Sequence, residues 1–177
     1  MKTLVALTMT AILSLPMTAF AAGSGVPAAT NPNKDCKAGE VFDTKTKTCI
    51  TSQSGSLLDE DRLNAARYFA YAGDYDAANK ALAALNMPGT ADALTLRGFV
   101  ARKMGDFDTG MTYYTAALEQ DPNHWQARSY MGQGFVEAGN SDAARAQLTL
   151  IRTTGGRGTW AEVSLRQAIA RGAGYSY

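Results

Sequence analysis

Hydrophobic positions recur with a helical period through most of the chain after residue 58, and short glycine-led polar phrases interrupt them. These phrases begin at Gly73, Gly105 and Gly139, so they recur at two nearly equal intervals. Similarity at such a period is typical of a solenoid of repeated supersecondary units. The pattern predicts three repeat units with a remainder at 159–177, and the units are 59–90, 91–124 and 125–158.

The second unit shows why each unit is predicted to be a pair of helices. Ala91 to Met104 contains no proline and places apolar and small residues such as Leu94 and Gly98 on one face. Gly105 favours the left-handed conformation that ends a helix. Asp106 then suits the first turn of the next helix, where free amides and the helix dipole favour a carboxylate.

Small and large residues alternate where two helices of a unit have to pass closely. The small residues occupy two sites in each unit and are Ala66, Gly98 and Gly132, then Ala78, Gly110 and Ala144. Large residues are predicted to fill the matching spaces, and they are Phe69, Phe135, Leu82, Tyr114 and Leu148. This alternation lets antiparallel helices interlock.

The pattern closely resembles the tetratricopeptide repeat, a helix-turn-helix unit of about 34 residues. The second unit matches best, through Leu94, Gly98, the Gly105-Asp106-Phe107 turn, Tyr114, Ala117 and the Asp121-Pro122-Asn123 exit. The resemblance implies an all-α solenoid of about three repeats over 59–158. We expect 159–177 to form a capping helix and a frayed tail, with Trp160, Val163, Leu165 and Ile169 covering the open end of the array.

Residues 1–21 have the pattern of a signal peptide. Lys2 precedes an apolar run from Leu4 to Leu15, and Ala19-Phe20-Ala21 matches the small-x-small pattern that signal peptidase recognises. The run is too short to cross a bilayer. We therefore predict cleavage after Ala21, a periplasmic or secreted protein and no integral membrane segment after cleavage. The alternative is a buried N-terminal helix.

Residues 22–58 are predicted to be a linker region that contains one small hairpin. Export and an even cysteine count favour a disulfide between Cys36 and Cys49. Val41-Phe42 and the threonines around Thr46 and Thr48 favour two strands with a turn between them. The polar stretches at 23–33 and 51–56 resemble flexible linkers. The hairpin is either a purely structural element that the disulfide closes or a glycan-binding element.

Composition excludes some classes of function. Hydrophobic residues make up 46% and charged residues 19%, which is usual for a folded protein. The net charge of +1 gives no bulk electrostatic attraction to nucleic acid. Charge is nevertheless uneven, with 6 basic and 10 acidic residues in 59–124 against 6 and 3 in 125–177.

Residues capable of catalysis are few. The chain has one histidine and two cysteines, and no nucleophile set or metal-ligand spacing accompanies His124. The glycines at 155–158 lack the Lys-Ser/Thr of a phosphate loop and are predicted to form the turn into the last helix. We therefore expect a non-enzymatic protein without cofactor or metal.

The resemblance implies that the concave face, lined by the first helix of each unit, binds a protein or peptide. The register places six candidate contacts there, with Leu63 and Ser129 beside them: Arg67, Phe99, Arg102, Lys103, Tyr130 and Gln133. Arginine and aromatic residues are enriched at binding hot spots, although a solvated helix face is the alternative. The Lys/Asn set with which some relatives hold a C-terminal carboxylate is not matched.

These expectations lead to two functional hypotheses. The first is an exported protein–protein interaction adaptor of the kind that assists envelope, pilus or secretion assembly. The second is a cell-wall or glycan-associated protein that binds through the Cys36–Cys49 hairpin.

Overall fold

A computed structural model describes residues 32–37 and 39–175. The predicted signal peptide and the first part of the linker region lie outside these residues. The described chain forms a short 3-10 turn, a two-stranded hairpin and seven helices, with these bounds: Pro32–Asp35, then β1 (Glu40–Asp43) and β2 (Thr48–Thr51), then α1 (Asp59–Tyr71), α2 (Tyr75–Ala83), α3 (Ala91–Lys103), α4 (Phe107–Gln120), α5 (Trp125–Glu137), α6 (Ser141–Thr153) and α7 (Trp160–Arg171).

The helices pack as the predicted solenoid. The pairs α1–α2, α3–α4 and α5–α6 each lie within one predicted unit, and α7 packs against both α5 and α6. The first helices also contact one another along the array, α1 with α3 and α3 with α5. The fold class predicted from the sequence is therefore confirmed, including the small antiparallel hairpin before the helices.

The glycine-led phrases form the same turn three times. Gly73, Gly105 and Gly139 have φ values of 81°, 92° and 77°, in the left-handed region that glycine adopts without strain. The residue after each glycine donates its backbone N–H back into the preceding helix, over 2.8–2.9 Å. Its side chain then accepts a backbone N–H of the next helix, and these caps are Asp74, Asp106 and Asn140. Each phrase thus ends one helix and begins the next.

The predicted interlocking of small and large residues is clearest in the second unit. A Cβ at Gly98 would lie 2.6 Å from Tyr114 Cε1 and 3.0 Å from the carbonyl oxygen of Gly110, so α3 and α4 can approach this closely only with glycine there. In the third unit the neighbour differs from the prediction. The space beside Gly132 is filled by Leu165 of α7, whose Cδ1 would lie 2.7 Å from an added Cβ.

The disulfide and the hairpin form as predicted, with one shift in the second strand. Cys36 and Cys49 are bonded, and β1 pairs with β2 so that Asp43 faces Thr48. Thr46 lies in the turn, where its hydroxyl donates to Asp43 Oδ2 over 2.8 Å. Val41 is fully buried against α1, so the hairpin is part of the hydrophobic core.

Residues 51–56 are not the flexible linker that their composition indicates. Arg62 of α1 is only 2% exposed and donates to three backbone carbonyls. Its Nε donates to Ser52, its Nη1 to Leu57 and its Nη2 to Ser54, over 2.7–3.1 Å. A buried guanidinium that satisfies three carbonyls fixes this stretch to the first helix.

The last helix covers the open end of the array. Leu165 is fully buried and packs with Leu148 and Ile151 of α6. Gly172 ends α7 in the left-handed conformation, with a φ of 66°. The tail is held to α5 because the backbone N–H of Tyr175 donates to Gln133 Oε1 over 3.1 Å. The expectation of a frayed tail is therefore wrong as far as Tyr175.

Candidate functional site

Helices α1, α3 and α5 are the first helices of the three units, and together with the capping helix α7 they line one face of the solenoid, which we call the concave face. Three aromatic rings cross its centre, with Tyr71 packed on Phe99 and Phe99 on Tyr130 at centroid distances of 5.5 and 4.9 Å. The Tyr71 and Tyr130 hydroxyls are hydrogen-bonded to each other. This aromatic row joins α1 to α5 although the two tyrosines are far apart in the sequence.

Arg102 packs against this row from α3. Its guanidinium carbon lies 5.6 Å from the centre of the Phe99 ring, its Nε donates to the Tyr114 hydroxyl over 3.4 Å, and its Nη1 donates to Glu137 Oε2 over 2.5 Å. Burial opposes the charge of Arg102, but Tyr114 and Glu137 outweigh it and raise the pKa of Arg102. Burial disfavours the ionised form of Tyr114 and raises its pKa to about 12, so the hydroxyl is neutral.

Lys103 completes a charged cluster at the C-terminal ends of α3 and α5. Its Nζ lies 3.7 Å from Glu137 Oε1 and 5.9 Å from the centre of the Phe99 ring. Burial and the neighbouring Arg102 lower the pKa of Lys103. Two cations therefore hold the one carboxylate of Glu137 in place.

The six predicted contact residues fall into two groups. Four of them, Phe99, Arg102, Tyr130 and Gln133, are at most 5% exposed and form the floor of the concave face. Arg67 and Lys103 are partly exposed. Phe99, Arg102, Lys103 and Tyr130 come together in the cluster around Glu137, whereas Arg67 lies on α1 and donates to Asn64 Oδ1 over 3.0 Å. Partner binding by these residues stays a prediction. Because the four floor residues are buried, they can support the surface from below but offer little area for direct contact with a partner.

An open groove lies in front of the first two units. It encloses about 430 Å³ between α1, the start of α3 and the loop before α3, and we call it the α1–α3 groove. Leu63 is partly buried and gives the groove an apolar side, while Arg67 is the one cation among the described residues that line it. The full lining is Asp59, Glu60, Leu63, Asn64, Arg67, Met87, Thr90 and Asp92.

Asp59 is a structural member of this lining. Its Oδ1 accepts the Asn86 backbone N–H over 2.9 Å, and its Oδ2 accepts that of Met87 over 2.8 Å. Burial works to raise the pKa of Asp59, but these amides and Arg62 outweigh it, so the pKa is lowered. Asp59 thus fixes the loop that borders the groove.

His124 caps α5 at the edge of a second groove of about 380 Å³, which shares Asp92 with the first. Its Nδ1 accepts the Ala127 backbone N–H over 3.2 Å, which leaves Nε2 to donate to Asp92 Oδ1 over 3.2 Å. The bond from His124 is the main cause that lowers the pKa of Asp92. His124 thus has a structural role as the N-cap of α5.

Sequence reasoning missed the residues that complete the surface, which include Asn64, Asp92 and Glu137. Glu137 carried a signal, because it follows Lys103 by one repeat period and so occupies the same repeat position with opposite charge. No sequence pattern identified Asn64, since single asparagines are common on exposed helix faces that have no binding role.

Metal centres and membrane spans are two further kinds of site that a chain of this size can carry. No group of three or more His, Cys, Asp or Glu side chains that could hold a metal occurs within 32–37 and 39–175. Over the same ranges, no helix combines the length and apolar character that a membrane span requires. The glycan hypothesis for the hairpin stays a prediction, and the face that carries Val41 is used in packing on α1.

Comparison with known proteins agrees with the class of protein that this geometry defines. Residues 101–156, from the last turn of α3 through α6, match the family model described as tetratricopeptide repeat. No curated protein matches the chain. The match and the helical repeat together support a tetratricopeptide repeat protein, and such repeats generally mediate protein–protein interactions.

Proposed function

We propose that this protein is an exported, non-enzymatic adaptor that binds a segment of another protein in the α1–α3 groove. The observation that carries the proposal is the open groove itself, which combines an apolar side chain, an amide and a cation from α1 on the face where repeats of this class generally bind. Leu63, Asn64 and Arg67 are only partly buried, so a partner can reach them.

The charges around the groove restrict the chemistry of the partner. Asp59 is committed to the Asn86 and Met87 amides, whereas Glu60 and Asp92 are exposed, and they outnumber Arg67. A partner segment with an apolar side chain for Leu63, an acidic group for Arg67 and a basic residue for the exposed carboxylates fits best. Charge complementarity of this kind raises the association rate and sets orientation.

Export is part of the proposal. It is supported by the signal-peptide pattern of residues 1–21 and by the Cys36–Cys49 disulfide, which persists in oxidising compartments. N-terminal sequencing of the protein from a periplasmic fraction is expected to begin at Ala22. Recovery of the full chain with Met1 from the cytoplasm would contradict export. A role in envelope, pilus or secretion assembly follows only from the resemblance to exported repeat proteins.

The groove is tested by site-specific photo-crosslinking in the periplasm. The full chain carries a photo-crosslinking amino acid in place of Met87, whose side chain is exposed at the groove, and the crosslinked product is identified by mass spectrometry. We expect one discrete partner, and we expect Arg67→Glu to abolish the product. The reason is that charge reversal removes the one cation of the described groove lining and places a carboxylate against the acidic group of the partner.

Two controls make this test decisive. Arg145→Glu is the matched charge reversal on an exposed side chain of α6, outside the groove, and it should leave the product unchanged. The crosslinker placed instead of the exposed Ala146 should give no product. Equal losses with Arg67→Glu and Arg145→Glu, or the same product from position 146, would overturn the groove as the binding surface.

A further inference from the structure

The C-terminal tail turns back and lies on the concave face between α5 and α7. After the left-handed Gly172, the Tyr175 ring meets Trp160 of α7 edge to face, with centroids 5.0 Å apart. The Arg171 guanidinium lies 5.1 Å from the centre of the same ring. The tail therefore occupies this face as a segment without helix or strand structure.

The surface beneath the tail is built to accept a peptide backbone. Gln133 of α5 is fully buried, and its Nε2 donates to Ser129 Oγ over 3.3 Å. Ser129 Oγ lies 3.0 Å from Ser164 Oγ of α7. This chain of buried hydroxyls fixes the amide so that Gln133 Oε1 accepts the Tyr175 N–H. Burying these polar groups is tolerated because each has a hydrogen-bonding partner.

The surface that contacts the tail requires glycine at one position of the tail, which is position 174. A Cβ at Gly174 would overlap the Oε1 atom of Glu137. The carboxylate cannot move aside freely, because Arg102 and Lys103 hold its two oxygens. The next position has the opposite requirement, since the edge of Trp160 and the cation of Arg171 favour an aromatic ring.

We propose that the face between α5 and α7 is a binding site for a glycine–aromatic peptide segment, and that the chain's own Gly174-Tyr175 closes this site in the free protein. A partner protein that carries such a segment displaces the tail. The inference rests on the proposed adaptor function, but it concerns the other half of the concave face.

The tail acts as an intramolecular competitor. A short flexible tether gives an effective concentration on the order of 1 mM, so a segment that binds with a dissociation constant of roughly 100 μM is weakened about tenfold by the tail. Releasing the tail should therefore strengthen binding of an added peptide by about that factor.

The test is a fluorescence-anisotropy titration with a labelled hexapeptide of the sequence at 172–177, Gly-Ala-Gly-Tyr-Ser-Tyr. The protein is the full chain or its Gly174→Ala variant, whose own tail clashes with Glu137. We expect the variant to bind the peptide about tenfold more tightly than the unmodified chain. A peptide with its second glycine replaced by alanine should bind neither protein.

The controls separate tail release from damage to the fold. Gly89→Ala is the matched substitution in open space and should bind the peptide like the unmodified chain. Circular dichroism checks that each variant keeps its helices. A chain that ends at Gly172 provides a second way to remove the tail and should bind like Gly174→Ala. Amide hydrogen exchange at Tyr175 should be slow in the unmodified chain and fast in Gly174→Ala.

Three outcomes would overturn the inference. They are equal affinity of the unmodified chain and Gly174→Ala for the peptide, equal binding of the alanine-containing peptide, and a concentration-dependent dimer in which a second copy supplies the tail. Failure here is distinguishable from failure of the adaptor proposal. The crosslink at position 87 responds to Arg67→Glu whether or not the peptide binds between α5 and α7.

Discussion

The two ends of the solenoid are closed by different kinds of interaction. At the N-terminal end, a disulfide-bonded hairpin packs on α1 through Val41, and the buried Arg62 binds the stretch that joins the hairpin to α1 by hydrogen bonds. At the C-terminal end, α7 packs through the apolar Leu165 and is followed by a tail on the concave face. Terminal repeats have to be covered, and this chain covers one end with an unrelated element and the other with a helix that continues the repeat.

The difference has a functional meaning. The hairpin covers the first unit and adds no helix to the concave face. Helix α7 extends that face by one helix, so the site for the tail exists only because the cap belongs to the array. Because the two ends are closed independently, a substitution at one end should leave the other end largely undisturbed.

The largest expected effect is at the N-terminal end. Arg62→Ala should lower the free energy of unfolding by about 3–4 kcal/mol, because three carbonyls and Asp59 lose a buried donor. Urea denaturation measures this. Hydrogen exchange should show the loss mainly in the hairpin and α1, since neighbouring repeats are coupled only through their interfaces.

Arg145→Ala is the matched control for this substitution. Arg145 and Asp142 form the same i,i+3 ion pair as Arg62 and Asp59, but both side chains are exposed, at 62% and 98%. The change in stability should stay within about 0.5 kcal/mol. If both alanine variants lost the same stability, the hairpin would not depend on Arg62.

The next effect is at the C-terminal end. Leu165→Ala should lower the free energy of unfolding by about 3 kcal/mol, because it leaves a cavity among Leu148, Ile151 and Gly132. Leu150→Ala, on the exposed side of α6, is the control and should cost much less. Hydrogen exchange should rise in α5 to α7 and leave the hairpin protected. A uniform rise over all seven described helices would contradict independent ends.

The smallest expected effect is a change in the pH dependence of stability at the N-terminal end. The pKa of Asp59 is lowered in the folded protein, so its stabilising contribution is present above the ordinary value of 3.8 and is lost as the pH falls through the lower folded value. Asp59→Asn should therefore reduce the difference between the urea midpoints at pH 7 and pH 3. Asp142→Asn, with an exposed carboxylate, should leave that difference unchanged. The same change with both variants would contradict a role for Asp59.

Local chemistry explains why much of the fold was predictable. The turns at Gly73, Gly105 and Gly139 depend on a few consecutive residues, so the sequence pattern contains all of their determinants. Arg62 was not recognisable, because its acceptors lie in a stretch whose position depends on how the hairpin packs.

The site was harder to predict than the fold. Phe99 has the register of an exposed contact, but Tyr71 of α1 and Tyr130 of α5 pack on its ring and bury it. The position of Tyr175 on the concave face depends on its hydrogen bond to Gln133, which is distant in the sequence and belongs to another unit of the array. Contacts of this kind follow from how successive helices stack, and no local pattern of residues encodes them.

The attachment of the hairpin also determines how the protein carries mechanical load. A pull at Cys36 passes through the Cys36–Cys49 bond into β2 and does not have to be borne by the hydrogen bonds between the strands. From there the Arg62 bonds to Ser52 and Ser54 transmit the force into α1. A tether attached before the hairpin would therefore pull directly on the helix that lines the α1–α3 groove.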